Sequence, residues 1–286
     1  MTFFILAGGL GRRAEPLSQI KPKPAFPLNG VPLISLLLDQ LRGLGCAEGF
    51  INLHHLGSQV VAAAGADRGV RFICEETLSG SRVLQQALPF SSQGLLTVNG
   101  DTFLEIPLAE LERRAADPRV DGVLVARTDR SGRYGRLLCA QDDLLESAPP
   151  AAAGEAGLMY AGVALFKKQA LARIDEDNFF VSIHRHRLRF QVVRYDGIWL
   201  DIGTPASYFQ ANWDYLAHCG QAGDNILSSG ATISPAARVQ RSLLWENARI
   251  GPGAHLSSCI VANDLLLENV SYSGQIITRQ GISPLF

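Results

Sequence analysis

Long hydrophobic runs are missing from this sequence. The longest, such as residues 31–38, stop well short of the roughly 20 apolar residues that a membrane span needs. An excess of either charge is missing too: 26 Lys and Arg face 27 Asp and Glu, a net charge of -1. That balance provides no whole-protein field for nucleic acid or lipid, which removes most of the support for nonspecific polyanion binding as a function. Cysteine is scarce, with five residues at 46, 74, 139, 219 and 259. They are odd in number, scattered, and form no Cys-x-x-Cys pair, so neither a disulfide framework nor a structural zinc site is indicated. The N-terminus has no basic stretch ahead of its apolar run and passes straight into glycines, unlike a signal peptide. These absences describe a cytoplasmic protein with reduced, inert thiols. Its 286 residues, 47% hydrophobic and 19% charged, exclude intrinsic disorder and allow a main domain of roughly 200 residues plus an appendage.

Residues 1–220 alternate short apolar runs with amphipathic segments. Strands are expected at 3–7, 50–53, 70–74 and 95–98, and helical patterns at 32–43, 57–64, 81–88 and 107–116. Leu33, Leu36, Leu37 and Leu41 give the first helix a continuous stripe, with Pro32 suited to its first turn. The alternation predicts an α/β fold: a Rossmann-like mixed, mostly parallel sheet flanked by helices. The middle is richer in strands, at 122–127, 134–139, 158–166 and 189–195, with a helix near 167–174. A small-residue loop lies between Glu146 and Gly157. Thr204 and Pro205 form a helix start, N-cap followed by N1, for a helix running to about His218.

After Gly220 the pattern changes. Ala231/Ile233, Ala237/Val239, Ala248/Ile250 and Ala254/Leu256 repeat one small–aliphatic spacing, and the block from Ala237 is echoed 17 residues later from Ala254. Such a period predicts a short left-handed β-helix over residues 221–286, structural or oligomer-forming in role, after a catalytic domain over 1–220. His255 alone does not make it an acyltransferase.

The densest chemistry lies in residues 6–27. Gly8, Gly9 and Gly11 follow the first strand and permit a tight turn whose N–H groups can face a phosphate. Gly9-Leu-Gly11-Arg-Arg-Ala14 formally matches a dinucleotide fingerprint, which needs a helix to begin there. Pro16, Pro22, Pro24 and Pro27 forbid a continuous helix, so a dehydrogenase is excluded. What remains is a proline-stiffened loop carrying Arg12, Arg13, Lys21 and Lys23, a set suited to polyphosphate. Asp101 closes Leu95-Leu-Thr-Val-Asn-Gly-Asp at the carboxyl end of a buried strand, and Asp201 precedes the last helix of the catalytic region. One or two carboxylates together with substrate phosphates is how Mg²⁺ is held.

Together these residues resemble the sugar-1-phosphate nucleotidylyltransferase family. The likeness rests on Leu6-Ala-Gly-Gly-Leu-Gly-x-Arg13, Pro16-Leu-Ser18, Pro22-Lys-Pro24, Asn99-Gly-Asp101 and Trp199-Leu-Asp-Ile-Gly-Thr-Pro205. Asn52-Leu-His-His-Leu56, Arg133-Tyr-Gly135 and the repeat tail add to it, so it covers nearly the whole chain. The branch it is most similar to holds mannose-1-phosphate guanylyltransferases and N-acetylmuramate-1-phosphate uridylyltransferases. The resemblance implies attack of a sugar phosphate on the α-phosphorus of an NTP, with Mg²⁺ as cofactor and guanylyl transfer slightly ahead of uridylyl or thymidylyl transfer. It implies that Leu6, Ala7, Gly8, Gly9, Gly11, Arg12, Gly80, Ser81, Asn99 and Gly100 surround the nucleotide. It further implies that Arg13 stabilises the departing phosphates, Lys23 contacts the α-phosphate or sugar phosphate, Gly162 lines the sugar pocket, and Asp101 and Asp201 bind the metal. A homo-oligomer is implied as well, with no nucleic acid or membrane partner.

Three departures stand out. Arg12 replaces the family's usual Thr, Glu15 replaces its second Arg, and the usual Glu-Lys-Pro after Tyr134-Gly135 is missing. An anion at position 15 leaves open a catalytically weak, nucleotide-sugar-binding regulatory subunit. His184 and His186 could be taken for a metal pair, but no third ligand is near in sequence, and a basic strand or loop edge is the plainer expectation.

Overall fold

A computed structural model describes residues 1–65, 69–149 and 156–286. Part of the small-residue loop after Glu146 lies outside the described residues. Strands form as β1 (Thr2–Leu6), β2 (Glu48–Leu53), β3 (Val70–Cys74), β4 (Leu95–Asn99), β5 (Gly122–Asp129), β6 (Arg136–Cys139), β7 (Leu145–Ser147), β8 (Gly157–Phe166) and β9 (Phe190–Arg194). The helices are α1 (Leu33–Gly43), α2 (Gly57–Ala64), α3 (Leu108–Ala115), α4 (Phe179–Arg185) and α5 (Pro205–His218). The expected helix at 81–88 is instead a 3₁₀ run, Gly80–Phe90, and the one near 167–174 shrinks to Lys168–Leu171. No helix among the described residues is long and apolar enough to cross a membrane.

The chain divides into two compact units. The first comprises Met1–Gly9, Leu37–Gly57 and Gly65–Trp199. Its sheet has β1 at the centre, parallel to β2 and β4, with β3 parallel beyond β2. Val, Ile, Leu and Phe fill these strands because both faces are covered, so no alternation shows. β8 runs antiparallel to β4 and β5, and β9 lies parallel to β5. β8 is long enough to change neighbours: Leu158 and Met159 pair with β6, whereas Val163 to Phe166 pair with β4. The register breaks between Tyr160 and Ala164, where Gly162 takes φ +95°, a backbone angle that side-chain-bearing residues avoid. On one face, fully buried Phe166 meets Phe179 and Phe190 edge-on, with ring centroids 5.5 and 5.3 Å apart.

The second unit comprises Leu10–Leu36, Ser58–Ala64 and Leu200–Phe286. After Asn225 its short strands stack in parallel coils: Asn225 pairs with Ser242, Thr232 with Arg249 and Arg238 with His255, each 17 residues on. Three sheets line three faces, and Leu244, Ala248, Ile250, Ala254, Leu256 and Val261 fill the interior. This is the expected β-helix. A final antiparallel pairing of Gln275–Thr278 with Gly281–Pro284 ends it.

An aromatic cluster anchors the proline-rich loop within this unit. Phe26, Tyr208 and Trp245 are all fully buried, with the Phe26 ring 5.0 Å from Tyr208 and 5.2 Å from Trp245. The Tyr208 hydroxyl donates to the Pro27 carbonyl at 2.6 Å and accepts the Trp245 indole N–H at 2.9 Å. Burial raises its pKa, so it stays protonated. Lys21 adds a 2.7 Å ion pair with Glu246 and lies 5.3 Å from the Trp245 ring. Tyr208→Phe would strand a buried donor and a buried acceptor together, at about 1–3 kcal/mol for each group left unpaired. The expected result is a thermal midpoint lower by several degrees. An unchanged midpoint would show that the hydroxyl does not hold the loop.

Candidate functional site

In the first unit, the end of β1 is organised by one buried amide. Asn52, on β2, is 5% exposed. Its Oδ1 accepts the Ala7 N–H at 2.7 Å and its Nδ2 donates to Glu75 Oε2 at 2.5 Å. Glu75, just past β3, uses Oε1 to accept both the N–H and the hydroxyl of Ser79, at 3.1 and 2.5 Å. Its own N–H donates to Leu53 and its carbonyl accepts from His54 Nδ1, which therefore carries the proton. Thus β1, β2, β3 and the turn before Gly80 are tied through polar groups that would otherwise be orphaned at the strand ends.

This arrangement fixes the glycines. A Cβ on Gly8 would lie 2.7 Å from Asn52 Nδ2 and 3.1 Å from Leu78, so Gly8 is dictated by packing. A Cβ on exposed Gly9 would meet nothing within 4 Å. Gly100 donates its N–H to the Leu6 carbonyl at 2.9 Å, which brings the ends of β1 and β4 together beside half-buried Asp101. Gly162 packs on Asn99, where a Cβ would sit 3.2 Å from the asparagine Cβ. Leu6, Ala7, Gly8, Asn99, Gly100 and Gly162 are therefore linked along one edge of the sheet.

Gly80 and Ser81 have a structural duty there as well. Gly80 has φ +54°, and a Cβ on it would collide with the Asp177 carbonyl. Ser81 donates its N–H to that carbonyl at 2.7 Å, and its Oγ accepts the Phe179 N–H at 3.0 Å. The pair thus clamps the start of α4, a helix that sequence patterning missed.

In the second unit, the cationic loop is a string of short turns. Residues 12–14 and 23–25 form single 3₁₀ turns, and Leu17–Ile20 one α-turn, as the prolines require. Gly11 has φ +68°, and a Cβ on it would lie 2.9 Å from Ser18 Cβ and 3.5 Å from Lys23 Cγ, so the glycine lets the loop fold onto itself. Arg12, Arg13 and Glu15 are exposed and make no ion pair among the described residues. Asp201 is half-buried, with its carboxylate folded over Gly203: a Cβ there would be 2.6 Å from Oδ2. That explains the glycine in Asp-Ile-Gly-Thr-Pro. The next residue, Thr204, caps α5 as expected, accepting the Ser207 N–H at 3.1 Å while Ser207 Oγ accepts the Thr204 N–H at 2.9 Å.

No cluster of three or more His, Cys, Asp or Glu groups able to hold a metal occurs among the described residues. Asp101 in the first unit and Asp201 in the second are each half-buried carboxylates, the kind of oxygen donor that hard cations take. His184 and His186 lie at the end of α4, not on a strand or loop edge, and His186 Nε2 meets Asp175 Oδ2 at 2.9 Å. Hydrogen bonding to His186 holds Asp175 below the usual carboxylate range.

Sequence reasoning did not assign roles to Asn52, Glu75 and Asp177. Asn52 had one visible signal, a polar residue closing an otherwise apolar strand. The glycines generate a paired prediction. Gly8→Ala must displace the Asn52 amide and should lower thermal stability measurably, whereas Gly9→Ala should leave the melting midpoint unchanged. Equal midpoints for both variants would contradict this account of the turn.

Comparison with known proteins agrees with the fold. A MobA-like NTP transferase domain matches residues 3–172. A mannose-1-phosphate guanylyltransferase of Mycobacterium tuberculosis is 24% identical over 314 aligned positions, spanning 96% of this chain and 82% of the relative. An N-acetylmuramate α-1-phosphate uridylyltransferase of Neisseria meningitidis is 29% identical over 222 positions, spanning 71% and 94%. Among solved structures, HddC from Yersinia pseudotuberculosis complexed with GMP-PN superposes with a TM-score of 0.65 at 22% identity, over 75% of this chain and 99% of that one. With the glycine turn, the mostly parallel sheet and more than half of the sequence in agreement, this chain belongs to the MobA-like NTP transferase family.

Proposed function

We propose that the protein transfers a nucleotidyl group from an NTP to a sugar 1-phosphate, giving an NDP-sugar and pyrophosphate. The observation that carries this reading is Gly9. It is exposed, a Cβ placed on it would meet nothing within 4 Å beyond its chain neighbours among the described residues, and two arginines that make no ion pair among those residues follow within four positions. Glycine at such a position serves close approach of a ligand to the backbone, and the arginines suit that ligand's phosphates.

The chemistry needs no protein nucleophile. A phosphate oxygen of the sugar 1-phosphate attacks the α-phosphorus; a P–O bond forms there as the bond to the bridging oxygen breaks, and pyrophosphate leaves. Catalysis is positioning and charge neutralisation. In this reading the backbone around Leu6, Ala7, Gly8, Gly9 and Gly11 cradles the nucleotide with Arg12. Gly80, Ser81, Asn99 and Gly100 border it, and Gly162 borders the sugar. Arg13 stabilises the departing β- and γ-phosphates, and Lys23 meets the α-phosphate or the sugar phosphate. Asp101 and Asp201 would hold Mg²⁺, which when bound adds positive charge to the phosphates.

The match with a mannose-1-phosphate guanylyltransferase over 96% of this chain makes GTP the first NTP to assay. Uridylyl or thymidylyl transfer would use the same residues. Glu15 favours the one competing reading, a regulatory subunit that binds nucleotide sugar with weak turnover, because an exposed anion stands beside the arginines.

Pyrophosphate release across the four NTPs and a panel of sugar 1-phosphates tests the proposal. Turnover with one pair is expected, falling by roughly 10²-fold or more in Asp101→Asn and in Asp201→Asn. Nucleotide binding without release, restored to release by Glu15→Arg, would overturn it in favour of the regulatory subunit.

A further inference from the structure

Arginines elsewhere in the first unit are mostly neutralised. Glu110 serves Arg113 and Arg114, Asp117 serves Arg119, Asp143 serves Arg194, and Glu176 serves Arg185. Of the first unit's arginines that make no ion pair among the described residues, three stand together. Arg127 near the end of β5, and Arg130 and Arg133 in the turn to β6, line one cleft of about 460 Å³ and make no ion pair among the described residues.

The cleft has two carboxylates, Asp129 and Asp196, against those three guanidiniums. Asp129 is 9% exposed and committed to the turn. Its Oδ1 accepts the Ser131 N–H at 2.7 Å and the Ser131 hydroxyl at 2.6 Å, and its Oδ2 accepts the Tyr134 N–H at 3.2 Å. Burial pushes this carboxyl up, yet those hydrogen bonds outweigh it and hold it ionised below the usual range. Ionised Asp129 and exposed Asp196 together set two negative charges against three positive ones, and neither carboxylate is ion-paired to these guanidiniums among the described residues.

Aromatic rings set where two of the cations sit. The Arg127 guanidinium lies 4.9 Å from the Trp199 ring, and that of Arg133 lies 5.9 Å from Tyr134 while its Nε–H donates to Ser131 Oγ at 3.2 Å. Tyr134 and Trp199 meet edge-on at 5.6 Å. The Trp199 indole N–H donates to the Ala161 carbonyl at 3.0 Å, which fixes the cleft wall next to Gly162, the kink assigned above to the sugar. The cleft thus presents apolar ring faces and unspent forked cations beside that glycine.

We propose that this cleft is a subsite for an acidic substituent of the sugar, a carboxylate remote from the anomeric phosphate, received by Arg127 and Arg133 with Arg130 at the rim. The inference rests on the nucleotidylyl-transfer reading. In that reading Lys23 already serves the reacting phosphates, so the cleft's cations are surplus to the reaction. A guanidinium fork matches a carboxylate, and the ring faces match the C–H face of a pyranose. The sugar class follows: a hexose 1-phosphate bearing a carboxylate on a side arm or at C6.

Matched sugar 1-phosphates, with and without such a carboxylate, test it in the full-length protein. The acidic member should be preferred about tenfold or more in kcat/KM. Arg127→Gln and Arg133→Gln should each raise its KM by about tenfold, with KM for the neutral sugar and for the NTP unchanged. In parallel, Trp199 fluorescence is followed while the acidic sugar lacking its 1-phosphate is titrated in without nucleotide, with Trp199→Phe as the blank. Saturable quenching that Arg127→Gln abolishes is expected. Turnover with neutral sugars preferred, and no quenching, would overturn the subsite and leave nucleotidylyl transfer standing. Quenching without turnover on any sugar would do the reverse. Equal damage by the arginine variants to acidic and neutral substrates would place the anomeric phosphate in the cleft and overturn the proposal.

Discussion

The Asn52 carboxamide is the contact on which the geometry at the end of β1 depends. Parallel strands end together at one edge of a sheet, and each leaves N–H groups beyond its last ladder bond. Buried, such groups need partners. Asn52 takes the Ala7 N–H and passes the constraint to Glu75, which holds Ser79. A single 5%-exposed side chain thereby ties the start of the glycine turn to the turn that carries Gly80. Gly8 is glycine because this amide occupies the space a Cβ would need; Gly9 is not so constrained by the protein. Two adjacent glycines thus differ in origin: packing dictates the first, and the described fold leaves the second unconstrained.

The second unit solves another problem: keeping a loop with little regular structure in one shape. Prolines limit its backbone, but placement comes from packing. Phe26 sits among Tyr208 and Trp245, the Asn29 N–H donates to Asn212 at 2.9 Å, and Gln59 donates to the Ile20 carbonyl at 3.1 Å. Glu246, on the second β-helical coil, holds Lys21 two residues before Lys23. The repeat tail is therefore a wall of the cationic loop as well as a stack of coils, a role beyond the structural or oligomer-forming one its period suggests.

Where local pattern and tertiary demand coincide, the sequence was legible. The 17-residue echo from Ala237 to Ala254 is the coil length of the β-helix because each coil repeats the same inward small and aliphatic positions. Thr204-Pro205 marked a helix start correctly, since capping is local chemistry. α4 escapes sequence patterning because seven residues give its buried stripe of Phe179, Ser182 and Ile183 no room to repeat, and its local signal is a single N-cap, Asn178 accepting the Phe180 N–H. Gly80 and Ser81 were visible as a motif, but their grip on Asp177 and Phe179 joins residues nearly a hundred positions apart. The surplus of arginines around Trp199 was invisible for a related reason. Whether an arginine has a carboxylate partner is settled by the fold, and Asp129 looks like a partner in sequence until its lone pairs are found spent on the turn.

The central claim is that the α-phosphorus of the nucleotide is the atom transferred. Parallel incubations with α-³²P- and γ-³²P-labelled NTP and the preferred sugar 1-phosphate, resolved by chromatography, test it directly. The account predicts the α-label in a nucleotide sugar and the γ-label in pyrophosphate. The γ-label on the sugar, or both labels remaining in the triphosphate, would contradict it.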